Sequence, residues 1–469
     1  MATAAEHIAR LNTLGPRRSG NEAHRTLIDE VAAELVALGY HPERDTHTFE
    51  RWDVDERDVS LTVEGRTVPV ASAWPYSGET GSAGVTAPLV RLAGRRPRWK
   101  DARGRIALVE VANVEVPASL LVDSWDGPMP FDAVANPVIS AELAGIDLVA
   151  ARAAGVVGVI AVWRGLADVE AHGQYLPFTR PYAGLPAVWA PESERERLLE
   201  AAGRGGSTTL VLDATRHDSG TMDTVWAVSP GSGIHADESV LVVTHSDGGN
   251  AVEENGFIGL LELARDAAET PHDRTLVFVL VAGHLRIPAV TAHGQATTAW
   301  LHAHPELWSP VAEGPTAVAG LVIEHLGAKH GRDDDPSTEA GTDDVEPELL
   351  DATTPEFAAL VRAEWRNPAV RPVRPGAVVH LGEGEPLWEK GIPAIALVTG
   401  PASLLAETAH AGVDLDLLAR QVDSFRALQR RLADAPDRAH FGTVRRPGRL
   451  RKLLAVARIA GFLARRAGR

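Results

Sequence analysis

Four aliphatic runs in this chain of 469 residues lead into, or follow, a histidine or a carboxylate. The run from Glu238 to Thr244 ends in His245-Ser246-Asp247, and the loop after it holds Asn250, Glu253, Glu254 and Asn255. Arg274 to Ala282 ends in Gly283-His284, and Ala317 to Ile323 ends in Glu324-His325. The loop before the run 392–400 carries His380, Glu383 and Glu385. Imidazoles and carboxylates gathered from separate segments are the raw material of a metal site or an acid–base pair. The chain has no cysteine, so any metal must be held by His, Asp or Glu, and cysteine nucleophiles and thiolate zinc sites are excluded. In His245-x-Asp247, residues two apart on an extended strand end point the same way. Asp247 can then accept the second imidazole N–H and fix which nitrogen faces an ion.

These groups need a scaffold that collects strand ends. Continuous Val/Ile/Leu strands at 238–245, 274–284, 317–327 and 392–400, with a helix at 254–267 between the first two, predict a largely parallel sheet covered on both faces. Ligands of such sheets bind beyond the carboxyl ends of the strands, where all four runs deliver their polar residues. Near the N-terminus, Asn21 is a helix N-cap for a stretch with Leu27, Val31, Leu35 and Val36 on one face and Gly39 as its stop. From about 55 the pattern changes to short strands, among them 104–111, 156–163, 184–191 and 208–214, with a helix at 146–155. The expected organisation is an α/β domain from 1–54 and 219–435, a β-rich insertion at 55–218, and a basic amphipathic tail at 436–469.

Length allows two or three domains. A formal net charge of −17 argues against nucleic acid as a partner, because phosphates would be repelled. Residues 445–469 hold nine basic residues and no acidic one, so the rest of the chain is more acidic still. Leu450, Leu453, Leu454, Ala457, Ala460 and Leu463 give this tail an apolar stripe. Two readings stay open: it lies on an anionic membrane or binds an acidic partner, or it docks on the acidic body of its own chain or of a sister subunit in a homo-oligomer. The acidic stretch 332–348 reads as a solvated loop. Trp163, Trp189, Trp226 and Trp388 read as core. No apolar leader and no run long enough to span a bilayer are found, so the expected location is cytoplasmic, with a peripheral membrane role left to the tail. No P-loop, GxGxxG or GxSxG occurs in a strand–turn–helix setting.

The order of segments resembles the M28 family of zinc aminopeptidases, peptidases that often carry an inserted protease-associated (PA) domain. LNTLGPRRSGNEAH is similar to the family's opening, and GRIALV through LVLDA to the inserted domain. VLVVTHSDGGNAVEENGFIGLLELAR resembles its strand, His-x-Asp, acidic loop and helix. RTLVFVLVAGH, GLVIEHLG and GEGEPLWEKGIPAIALVTG resemble its later strands. The resemblance implies a three-layer α/β hydrolase that cleaves a peptide or small amide with one or two zinc ions. It places His245 as the first ligand, Asp247 as its orienting acid, Glu254 (or Glu253) as the bridging acid and Glu324 as a later ligand. The family's paired glutamates, base then ligand, fall on Gly283 and His284. Gly283 cannot be a base, so the proton falls to Glu253 or Glu383, while His284 can bind metal. The last histidine ligand should fall near 404–410, where Leu404 and Leu405 stand and His410 is offset. These departures leave two other readings: a retired binding or scaffold protein, or a hydrolase of a non-peptide amide or ester.

Overall fold

The computed structural model describes residues 2–94, 97–129, 131–286, 295–332, 345–378, 380–407 and 411–467. Most of the acidic stretch 332–348, together with His410, lies outside the described residues.

The aliphatic runs form strands because their side chains are buried on both faces. Strands Thr275–Val281, Glu238–His245, Thr316–Val322 and Ala394–Val398 lie side by side and parallel in that order. Antiparallel strands flank them, making a nine-stranded mixed sheet. Alternate residues of one strand go to opposite layers. Val240 and Val242 pack with helices Glu22–Ala37, Gly256–Glu269 and Leu415–Ala433. Leu241 and Val243 pack with Trp300, Leu301 and Leu387 of helices Ala296–Ala303 and Gly384–Lys390. Each such buried aliphatic side chain stabilises the fold by about 1.5–3 kcal/mol. The result is the expected three-layer α/β arrangement.

The first long helix starts where its capping residue predicts, with the Asn21 side chain accepting the His24 amide. Leu27, Val31 and Leu35 are buried, but Val36 is 58% exposed. It lies one position past Leu35, about 100° round the helix and off the buried stripe.

Strands Glu43–Asp53 and Thr215–Ser229 run as a long antiparallel ladder at one edge of the sheet. Between them the chain builds a separate eight-stranded sheet from strands lying within residues 59–212. Its core includes Trp163 and Trp189, stacked 4.4 Å apart, with Trp74 4.9 Å from Trp189. One short strand from this excursion, Val122–Ser124, pairs with Arg371–Pro375 at the far edge of the nine-stranded sheet. The excursion therefore also touches the opposite side of the sheet and spans the ends of the parallel strands.

The C-terminal helix, Arg449–Ala467, meets the body through an ion pair of Arg451 with Asp123. Leu450, Leu453 and Leu454 remain exposed. Among the described residues, no helix is long and apolar enough to cross a membrane.

Candidate metal centre

The parallel strands end on the same side of the sheet, and short turns carry the polar residues over that edge. His245 is the last residue of its strand. Glu253 sits in the turn before helix Gly256–Glu269. A Cβ at Gly256 would fall 2.1 Å from the carbonyl oxygen of Ile323, so glycine lets this helix start tight against the neighbouring strand end. Asn250 pins the intervening loop. Its amide donates to the carbonyls of Ser403, Leu404 and Ala406, and its oxygen accepts from the amides of Val252 and Glu253. His284 opens a single 3-10 turn after its strand.

His245, Glu253 and His284 are all buried, and one ligand atom from each lies within 4.8 Å of the others. The imidazoles of His245 and His284 stack with centroids 4.2 Å apart. His284 Nδ1 donates to Glu383 Oε1 at 2.7 Å, and its Nε2 lies 3.8 Å from Glu253 Oε1. His245 Nδ1 donates to the main-chain carbonyl of Asp247 at 3.1 Å. Its Nε2 and both oxygens of Glu253 have no hydrogen-bond partner among the described residues. An orphaned imidazole nitrogen and a doubly orphaned carboxylate, buried side by side, are costly by themselves. They are what a divalent cation satisfies, and two imidazoles with one carboxylate are a zinc donor set.

The expected carboxylate link from Asp247 to His245 is not formed. Asp247 reaches that ring with its backbone oxygen. Its carboxylate instead accepts the amides of Gly283, His284 and Leu285 and the hydroxyl of Ser19. It therefore shapes the turn that carries His284. Gly283 sits in this turn at φ +98°, a conformation that disfavours any residue with a Cβ.

Glu254, expected to bridge metals, is ion-paired with the buried guanidinium of Arg17. Glu324 lines the same cavity as Glu253 and His284, and its Oε1 accepts the Glu383 amide at 2.8 Å. Glu383 is fully engaged: besides His284 it accepts the amides of Ala296 and Thr297. The glycines beside the site make room for acids. A Cβ at Gly248 or Gly382 would lie about 2 Å from a carboxylate oxygen of Glu254 or Glu324 respectively.

The electrostatics follow from dehydration. Burial pushes Glu253 up to about 8 and Glu324 to about 7. Burial, with the charges of His284 and His325, holds His245 well below its ordinary value. Burial also pulls on His284, but the hydrogen bond and charge of Glu383, with Glu253 and Glu324 nearby, outweigh it and raise that imidazole to about 10.

His325 also faces the site and was passed over in favour of its neighbour Glu324. Its presence at a strand end was the available signal. Glu253, His284, Glu324 and His325 line a cavity of about 270 Å³ whose apolar wall includes Leu121, Phe131, Val134, Ile139 and Phe178. All five come from the excursion between the two ladder strands.

No family model and no curated protein matches this sequence. Solved structures do match its fold over nearly the whole chain. A zinc aminopeptidase from Bacillus subtilis is 16% identical, covering 93% of this chain and 96% of its own, with a TM-score of 0.63. An aminopeptidase from Aneurinibacillus sp. strain AM-1 is 16% identical over 95% of both chains, at 0.59. A peptidase M28 precursor from Shewanella amazonensis SB2B is 15% identical over 95% of both, at 0.65. At these identities the likeness speaks for the architecture, and the chain has the fold of these aminopeptidases.

Proposed function

We propose that the protein is a metal-dependent hydrolase of the zinc-aminopeptidase type, cleaving a peptide or related amide bond. The observation that carries this is the convergence of His245, Glu253 and His284 at the strand ends of that fold, with His245 Nε2 and both Glu253 oxygens unpartnered among the described residues. These three residues hold one zinc ion. Bound there, zinc supplies a nucleophile at neutral pH, by lowering the pKa of water toward 7, and polarises the substrate carbonyl. Glu383 fixes the His284 ring through Nδ1, and Asp247 fixes the turn beneath it. Glu324 is the remaining acid on the cavity wall. With one oxygen held by the Glu383 amide, its other oxygen takes the proton of the attacking water and returns it to the leaving amine. Glu254, whose charge Arg17 already neutralises, is withdrawn from any second ion. The excursion at 55–218 acts as a PA-like insertion that walls the cavity, excludes water and receives an apolar substrate side chain.

The test is metal analysis of the purified protein, combined with hydrolysis of amino-acid p-nitroanilides before chelation, after it and after zinc is restored. Stoichiometric zinc with chelator-sensitive turnover supports the reading. Metal-free protein, or turnover indifferent to chelation, ends it. The absence of a side chain at Gly283 favours a second reading, a zinc-binding protein that has lost hydrolysis. Stoichiometric zinc with no turnover across a panel of peptides, amides and esters would select it.

A further inference from the structure

His325 follows strand Thr316–Val322 and stands at φ +51°, a left-handed conformation that few residues with a Cβ adopt. Its ring is buried. Nδ1 donates to the carbonyl oxygen of Thr399 at 2.9 Å, which leaves Nε2 as the bare nitrogen. Among the described residues that Nε2 has no hydrogen-bond partner, and it lies 3.9 Å from Glu253 Oε2. We propose that His325 is a third imidazole ligand of the metal centre, so that His245, His284, His325 and Glu253 hold the ion together. The assignment rests on the metal-hydrolase reading above and adds a fourth protein donor to it, so that the water of that reading would enter as a fifth ligand.

Three features carry it. First, the three imidazoles are prepared alike: each Nδ1 donates to an oxygen, of Asp247, Glu383 or Thr399. Locking one ring nitrogen in this way is how proteins aim the other at a metal. Second, the spacing fits. Ligands about 2.0–2.1 Å from a tetrahedral zinc sit roughly 3.4 Å from one another. His284 Nε2 and His325 Nε2 stand 3.8 and 3.9 Å from the two oxygens of Glu253, one on each side. His245, Glu253 and His284 already lie within 4.8 Å of one another, and His325 stands just outside that set, so its Nε2 must move inward as the ion enters. Third, His325 lies beside a ring already assigned to the centre. It meets His245 edge-on at 69° with centroids 5.9 Å apart, so it approaches the pocket from a different side than His284, which stacks on His245. An imidazole held only as a core residue would gain nothing from an unusual backbone angle and an unpaired nitrogen.

X-ray absorption of the zinc-loaded wild-type protein counts the imidazoles directly through their multiple scattering, with three expected. In parallel, cobalt(II) is titrated into metal-free wild type, His325→Asn and His325→Ala, followed by visible ligand-field absorption and calorimetry. Asn is chosen because it tolerates the left-handed backbone. Both variants should bind cobalt at least tenfold more weakly with an altered band pattern, and added imidazole should restore the wild-type spectrum in His325→Ala. A two-imidazole zinc site in the wild type, with affinity and spectrum unchanged in His325→Asn, would overturn the assignment and leave the hydrolase reading standing. A wild-type protein that takes up neither zinc nor cobalt overturns both.

Discussion

Glu253 and Glu254 are adjacent in the chain and equally buried, yet they are held in opposite ways. Glu254 meets a guanidinium supplied by the protein itself. Arg17 is buried with it and is further held by the carbonyls of Leu11 and Gly15. Glu253 has imidazole nitrogens at 3.8 and 3.9 Å and, among the described residues, no hydrogen-bond donor on either oxygen. One acid has a guanidinium in direct contact, and the other is dehydrated with the His284 imidazole as its nearby cation, beyond hydrogen-bond distance. A buried carboxylate of the first kind belongs to the architecture. One of the second kind is poised for a cation that arrives from solution.

The largest effect should come from breaking the Arg17–Glu254 ion pair. Glu254→Gln leaves the Arg17 guanidinium buried without its partner, and losing one member of such a pair costs about 3–5 kcal/mol. Chemical denaturation of the metal-free protein should show that loss, while calorimetry should show zinc affinity close to wild type in whatever fraction remains folded. If instead stability holds and zinc uptake disappears, the two acids have been assigned the wrong way round.

Glu253→Gln should do the reverse. It removes a carboxylate that burial already pushes up to about 8, so the metal-free fold should keep or slightly raise its melting temperature. Zinc affinity should fall by about a hundredfold or more, since an anionic ligand becomes a weak neutral one. A variant that binds zinc like wild type would remove Glu253 from the centre.

Much of this contrast was out of reach of the sequence. The strands were readable because uninterrupted Val/Ile/Leu runs have few alternatives to burial, and strand ends pointed to His245 and His284. The choice between two adjacent glutamates was not, because the loop 248–255 has no period to set which side chain faces where. Its conformation is set by Asn250, whose three amide bonds reach residues more than 150 positions away. Arg17 lies even further from Glu254 in the chain. His325 was hidden by its own regularity. On an extended strand it would point away from Glu324, and only the left-handed backbone angle brings both to one cavity. Asp247 was read as a carboxylate partner of His245 because strand spacing gives direction and says nothing of three amides arriving from the next strand's turn.

The pH dependence of metal binding sharpens the comparison further. In the metal-free protein His284 is held at about 10 and Glu253 at about 8. Both must be deprotonated to bind metal. At pH 7 binding therefore expels close to two protons, and apparent affinity climbs steeply with pH. Above about 8 only the His284 proton is left, and the slope falls to about tenfold per unit. Calorimetry in buffers of differing ionisation heat counts the protons. A flat profile between pH 6 and 8 would mean that neither group is a ligand.

Glu383→Gln should give the smallest net change at neutral pH, because two effects oppose. Glu383 orients the His284 ring, and losing such a partner typically weakens metal binding by about 10–100-fold. The same carboxylate is the chief group that keeps a proton on His284 in the metal-free protein. Glutamine no longer does so, and zinc then has less of a proton to displace. Near pH 7 the gain offsets much of the loss. Above pH 10, where proton competition fades in the wild type, the orientational loss should emerge undiminished. The variant should also release one proton fewer on binding at pH 7. An equal loss at both pH values, with an unchanged proton count, would mean that Glu383 only steers the ring, and that Glu253 and Glu324 are what keep the proton on His284.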